Sequence, residues 1–317
     1  MLDKCLTRYL QLTRYLFGAT MALTLVIGLN ACSSNKERTV RGSEQDVYQR
    51  AQGYLKSGSW ELSIETLQAL EENFPFGTYA EHGQLELIYA HFRAGNHEAA
   101  QASAERFIRL HPQHSNVDYA FYMRGIASFY NQTALTGFMG QDVTKRDAGT
   151  AKESFNYFSQ LLNQFPNSIY TYDAKKRMLF LRNTLARSEI NVANYYFKRG
   201  AYLAAANRGR WVLENFQETP AIPDALAVMA QAYNLLGMPE LSDDAVRVLA
   251  LNYPSYPALT EDGQFDFQYA RAQKRSWVSW VTFGLFDKRP TVKFDTRRQY
   301  NAFYLSSKDD IANPPRG

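Results

Sequence analysis

Five glycines constrain this chain more tightly than any other feature. Gly58, Gly95, Gly149, Gly200 and Gly237 are each followed 17 residues later by Pro75, Pro112, Pro166, Gln217 and Pro254, so four of the five positions are proline. Five residues after each glycine stands a small side chain (Ser63, Ala100, Ser154, Ala205, Ser242), and twelve after it an apolar one (Leu70, Phe107, Leu161, Val212, Leu249). The residue before the proline position is Phe74, His111, Phe165, Phe216 or Tyr253. Self-similarity at this period is the mark of a stacked repeat, in which one unit cannot bury its apolar face alone.

Each unit reads as a helix, a turn at the glycine, a second helix and a proline stop. Glycine accepts the left-handed conformation that ends a helix, and proline lacks the amide that would continue one. The small residue lets paired helices approach closely. First helices have the matching phase: Leu226, Met229, Ala230, Tyr233 and Leu236 form one amphipathic face. The expected fold class is therefore all-α, a superhelical solenoid of five tetratricopeptide-like helix-turn-helix repeats. The glycine intervals are 37, 54, 51 and 37. The third unit places its excess between Pro112 and Gly149, read as a loop from Asn131 to Asp147, and the fourth reads as having a lengthened first helix. Small residues recur eight positions past the stop, at Gly83, Ala120, Ala174 and Ala225, but the fifth unit has Asp262 and the array ends.

Composition narrows the function. Hydrophobic residues make up 45%, ample for a core, and 35 basic against 31 acidic residues give only +4, too even for a nucleic-acid partner held by electrostatics. No serine or cysteine nucleophile has an identifiable base and no glycine-rich phosphate loop follows a strand, so catalytic residues are expected to be none. His111 and His114 flank Pro112, which ends a helix, and no metal site is expected.

The first 31 residues read as an export signal. Lys4, Arg8 and Arg14 precede an uncharged apolar stretch from Leu16 to Leu29, too short to span a bilayer comfortably. Leu29, Asn30 and Ala31 then precede Cys32, which matches the bacterial lipobox. Cys32 is the expected lipidation site, taking a diacylglycerol on its thiol and an N-acyl chain on its new amino terminus; no other cofactor is expected. Several acyl chains anchor a protein far more firmly than one. Cys5 leaves with the signal, so no disulfide is expected. Ser33 and Ser34 lack the aspartate that retains lipoproteins at the inner membrane, which favours an outer-membrane anchor with the protein facing the periplasm. The expected organisation is a signal peptide over 1–31, a tether over 32–44, the array over 45–254 and a C-terminal extension over 255–317.

The strings "FPFGTYAEHGQLELIYAHFRAG", "FIRLHPQHSNVDYAFYMRG", "ALTGFMGQDVTKRD" and "FPNSIYTYDAKKRMLFLRNTLARSEINVANYYFKRGAY" resemble the BamD family, lipoproteins of the outer-membrane β-barrel assembly machinery. The resemblance runs from about Asp46 to Tyr253 and includes the insertion in the third unit. It implies a superhelix of five repeats whose N-terminal repeats recognise unfolded barrel substrates and whose C-terminal repeats hold the periplasmic domains of BamA, beside other assembly-complex lipoproteins. Two departures stand out: Gln217 replaces the fourth proline, and 55 residues follow Asp262, where the repeat pattern stops. A repeat lipoprotein that scaffolds peptidoglycan or other envelope enzymes is the rival reading.

Nascent barrel strands alternate apolar and polar residues and commonly end in an aromatic, so a receptor needs aromatic pockets with polar or basic neighbours. Phe74, Phe76, Tyr79, Tyr89, Phe92, Arg93 and Arg109 are the candidates for binding the C-terminal strand. For each aromatic, core packing is the competing explanation; for Phe74 and, more weakly, Arg109, the resemblance implies substrate handling. It also implies that Arg208 communicates with BamA, against a solvated surface arginine. Tyr233 and Arg247 are nominated for partner docking. In the extension, "RSWVSWVTFGLF" gathers Trp277 and Trp280 with five other apolar residues. Three explanations stand: a cap over the open end of the array, a partner-docking patch, or insertion into the membrane interface.

Overall fold

The computed structural model describes residues 42–137, 144, 148–268 and 294–297, with side chains of 132–137 left out. Among them are ten helices: α1 (Glu44–Ser57), α2 (Trp60–Asn73), α3 (Ala80–Arg93), α4 (His97–Leu110), α5 (Val117–Gly137), α6 (Gly149–Gln164), α7 (Thr171–Arg199), α8 (Tyr202–Asn215), α9 (Ile222–Leu235) and α10 (Pro239–Asn252). The described residues form no strand, only one isolated antiparallel bridge between Leu259 and Phe265. The chain is all-α. Each helix packs on the next, and α3 also meets α5 while α7 meets α9. Contacts between neighbours along the chain are the packing logic of a solenoid.

The glycine turns form as the pattern requires at four of five positions. Gly58, Gly95, Gly200 and Gly237 have φ between 72° and 81°, the left-handed region that a side chain would strain. At each, the following amide reaches back five residues: Ser59 to Tyr54, Asn96 to His91, Ala201 to Tyr196 and Met238 to Tyr233, at 2.9–3.0 Å. That is the Schellman closure, which satisfies carbonyls the helix end would otherwise orphan. Gly149 behaves otherwise. It opens α6 instead of ending a helix, and its φ is not positive. The reading of Asn131 to Asp147 as a loop is corrected in part: α5 runs on through Gly137. The lengthened first helix of the fourth unit is present as the 29 residues of α7.

All five second helices end alike. The amides of Phe74, His111, Phe165, Phe216 and Tyr253 bond the carbonyls of Leu70, Phe107, Leu161, Val212 and Leu249 at 2.8–2.9 Å. Those five acceptors, twelve residues after each glycine, are all fully buried. Phe216 keeps the geometry although Gln217 follows it, with φ −128° against −130° at Phe165. Without proline, the turn keeps its backbone bond from the Thr219 amide to the Phe216 carbonyl at 3.3 Å, the Thr219 hydroxyl donates to the same oxygen at 2.7 Å, and Glu218 takes φ 64°. Proline is thus a convenience at this exit and not a requirement.

The small positions lie where helices touch. Ser63, Ala100, Ser154, Ala205 and Ser242 are buried, as are Gly83, Ala120, Ala174 and Ala225. A Cβ on Gly83 would stand 2.8 Å from Leu70 Cδ2, so α3 approaches α2 more closely than alanine allows. At the start, Ser43 and Asp46 form a reciprocal capping box on α1. At the far end, Tyr256, Ala258, Phe265 and Phe294 join the cluster built from α7, α8, α9 and α10. The residues after Pro254 therefore share a core with the helices before it.

Candidate functional site

First helices of successive units face one another, and polar side chains bridge them. The Tyr48 hydroxyl of α1 donates to Glu86 Oε1 of α3 at 2.9 Å, where the Gln52 amide also bonds. Further along, the Tyr122 hydroxyl of α5 donates to Asp173 Oδ2 of α7 at 2.7 Å, and Arg177 pairs with the same oxygen at 2.6 Å. Between α7 and α9, Arg187 pairs with Asp224, both buried.

Within the first part of this face lies a cleft of about 350 Å³. Leu55 of α1, Leu85, Glu86 and Tyr89 of α3, and Asn116 and Tyr119 at the start of α5 line it, with His82. Volumes of this size suit a side chain or a short peptide segment, and the wall mixes apolar rings with a few directed polar groups. At its rim, Arg93 donates to the Tyr89 hydroxyl at 2.6 Å and lies 4.5 Å over the Trp60 ring, which meets Tyr89 edge-on. A cation held between two aromatic rings is oriented at small entropic cost.

Burial controls the electrostatics here. It raises the Glu86 carboxyl above its ordinary 4.5, the hydrogen bonds from Tyr48 and Gln52 opposing the shift without cancelling it. Burial, with Glu86 beside it, pushes the Tyr48 hydroxyl up to about 12. Glu86 Oε2 is buried and has no hydrogen-bond partner among the described residues. The folded protein thus holds the Glu86 proton to higher pH than the unfolded chain does. Stability carried by the protonated form is complete below the unfolded value and is lost as pH rises through the raised one. Glu86→Gln, uncharged and nearly isosteric, is expected to raise Tm at about pH 7 and to leave it unchanged at about pH 4. Thermal melts at the two pH values check this; the same shift at both would contradict it.

The sequence candidates divide on this frame. Tyr89 and Arg93 come together, with Trp60 as their partner. Phe76 is 99% exposed in the turn after α2, and Phe74 is half-buried at the helix exit. Tyr79 stacks on Tyr48 at 4.6 Å, and its amide bonds Glu44 Oε1. Phe92 turns the other way. It packs against two core clusters and meets Tyr130 edge-on at 5.3 Å, so its ring joins α3 to α5. Arg109 is exposed in the last turn of α4, joined to none of the others by a hydrogen bond or ring contact among the described residues.

In the later units Arg208 bonds Glu189 of α7 at 2.8 Å while staying 41% exposed. Tyr233, nominated for partner docking, is enclosed. It is 3% exposed, packs with Ala206 and Ala232, and its hydroxyl is held by Arg210 at 2.7 Å. The amphipathic reading put it on a face of α9, but that helix is buried nearly all round, from Pro223 to Tyr233 except Met229. Arg247 is exposed and pairs with Asp244. Cys32, Trp277 and Trp280 lie outside the described residues. Glu81 stands beside both His111 and His114, at 3.3 and 3.5 Å. No group of three or more His, Cys, Asp or Glu that could hold a metal occurs among the described residues, and none of their helices is long and apolar enough to cross a membrane.

Trp60, Tyr48, Glu86 and Tyr119 escaped the sequence reading. One signal was available for Glu86: it stands three residues after the small position Gly83, where later units carry Met123, Arg177 and Val228.

A family model described as an outer membrane lipoprotein, YfiO, matches residues 41–249. The outer membrane protein assembly factor BamD of Neisseria meningitidis serogroup A is 38% identical over 253 residues, spanning 78% of this chain and 95% of the relative. The chain belongs to the BamD family. BamD of Vibrio cholerae is 34% identical over 73% of this chain and 95% of its own, and BamD of Xylella fastidiosa strain Temecula1 is 37% identical over 68% and 74%. A solved tetratricopeptide repeat protein from Parabacteroides merdae aligns at 12% identity and a TM-score of 0.31, over 66% of this chain and 79% of that one. At that score the fold rests on the helices themselves. Membership in the BamD family makes this chain a scaffold and not an enzyme. The match to the family model ends at residue 249, before Tyr256, Phe265 and Phe294 complete the core.

Proposed function

We propose that this chain is a scaffold of outer-membrane β-barrel assembly that receives the C-terminal strand of unfolded barrel proteins and docks the periplasmic domains of BamA. The observation that carries the substrate half is the cleft between α1, α3 and α5, with Tyr89 and Tyr119 in its wall and the Trp60–Arg93 pair at its rim. A terminal aromatic ring enters among Tyr89, Tyr119 and Leu85, and Arg93 offers its guanidinium to the adjoining carboxylate. Capture of the strand end shields an edge that otherwise pairs with other chains. In this reading a signal over 1–31 is removed, Cys32 is acylated and 32–44 tether a five-repeat array over 45–254 to the periplasmic face of the outer membrane. The extension over 255–317 closes it. Arg208 and Arg247, both reachable from solvent, are the residues for BamA and its lipoprotein partners.

Crosslinking in the native envelope followed by purification of the tagged chain tests the whole. BamA and barrel precursors are expected in the product, and Cys32→Ser is expected to move the chain out of the outer-membrane fraction. Recovery of peptidoglycan synthases or hydrolases in their place would overturn the proposal.

A further inference from the structure

Four residues near the C-terminal end lie against α7 and α9 as a bound peptide would. Asn194 holds the main chain of Phe294 with both ends of its amide: the Phe294 N–H donates to Oδ1 at 3.1 Å, and Nδ2 donates to the Phe294 carbonyl at 3.2 Å. Two residues on, Thr296 donates its N–H and its hydroxyl to the two carboxylate oxygens of Asp224, at 3.0 and 2.9 Å. Side chains that bond the main chain at alternate residues can hold a peptide segment in a fixed register. The Phe294 ring is fully buried, 5.7 Å from Phe197.

We infer that the groove between α7 and α9 is a second peptide-binding site, specific for an aromatic–x–Thr segment, and that residues 294–297 are its intramolecular ligand. The Asp224 end of the groove has partners besides the segment. Asp224 is already fixed by Arg187 and by the Tyr256 hydroxyl at 2.9 Å. Asn194, 5% exposed, makes no other hydrogen bond among the described residues. If the segment left, the Asp224 carboxylate would lose two donors and the Asn194 amide both partners, a set of positions that a second peptide of the same donor pattern would match. The ligand class follows. It is a stretch of polypeptide with an aromatic side chain for the Phe197 pocket, free main-chain amides, and a threonine two residues later. This site is separate from the cleft between α1, α3 and α5 and stands whether or not that cleft receives barrel strands.

The test uses the full chain and a fluorescein-labelled peptide of sequence TVKFDTRRQ. The cis segment competes at an effective concentration in the millimolar range, so a chain carrying Phe294→Ala and Thr296→Val is expected to bind the peptide at least about tenfold more tightly than the unaltered chain. Adding Asn194→Leu is expected to remove that gain, and a peptide with its Phe and Thr replaced to bind neither chain. Equal binding to both chains, or none to the released chain with its helical circular dichroism intact, would overturn the inference. A second readout covers a released chain that fails to fold: in the unaltered chain, millimolar peptide is expected to accelerate hydrogen exchange at the Phe294 and Thr296 amides. Unchanged exchange there would equally overturn it.

Discussion

Asp224→Ala is expected to destabilise the protein by about 3–5 kcal/mol, the range for removing one partner of a buried ion pair. Asp224 is fully buried and accepts from Arg187, the Tyr256 hydroxyl, and the Thr296 amide and hydroxyl. Truncation leaves the Arg187 guanidinium, which is as deeply buried, without its charge partner apart from Asp295 at 3.7 Å. For a domain of this size the loss corresponds to a fall in Tm of about 10 °C. Arg187→Met combined with Asp224→Leu is expected to recover much of it, because two apolar side chains of similar volume remove both desolvation costs. Thermal melts of the single and double variants decide the matter. A double variant as unstable as Asp224→Ala would mean that the four hydrogen bonds, and not the unpaired charge, dominate.

Phe158→Ala is the second large effect, expected at about 3–5 kcal/mol for truncating a large aromatic in the core. Phe158 of α6 is fully buried and presses on α5 at Gly125, where a Cβ would stand 2.6 Å from its ring. The ring fits only because that position has no side chain. Gly125→Ala on its own is expected to overpack the same contact by about 1–3 kcal/mol. Joined to Phe158→Leu, it is expected to cost less than the sum of the two, since the added methyl then meets a smaller neighbour. Urea unfolding measures all four species, and strict additivity would show that the two positions do not share one contact.

The repeat was legible because its determinants are local. A left-handed glycine, a small residue five positions on and an apolar one twelve on act within one hairpin, and four of the five glycines and every small and apolar position fall where the spacing puts them. Gly149 failed because a glycine followed by a helix can stand inside that helix as readily as before it; the pattern of α6 itself stays in phase. The burial of Tyr233 was hidden for a different reason. Periodicity locates the most buried stripe of α9, yet α7, α8, α10 and the 294–297 segment together close its remaining sides. No local pattern could join Arg187, Asp224, Tyr256 and Thr296, which meet across 37, 32 and 72 residues of chain. Tyr89 and Arg93, one helical turn apart, were found; Trp60, on another helix, was not.

The most direct measurement of substrate capture is photocrosslinking of a barrel C-terminal peptide ending in an aromatic to the full chain. A benzoylphenylalanine replaces either Tyr89, in the wall of the α1–α3–α5 cleft, or Trp211, half-exposed on α8. Crosslinks are expected at Tyr89 and not at Trp211, and are expected to fall when the peptide lacks its terminal aromatic or when Arg93→Glu reverses the rim charge. Equal crosslinking at both positions, or crosslinks at Tyr89 indifferent to the terminal aromatic, would contradict a cleft that reads the end of a strand.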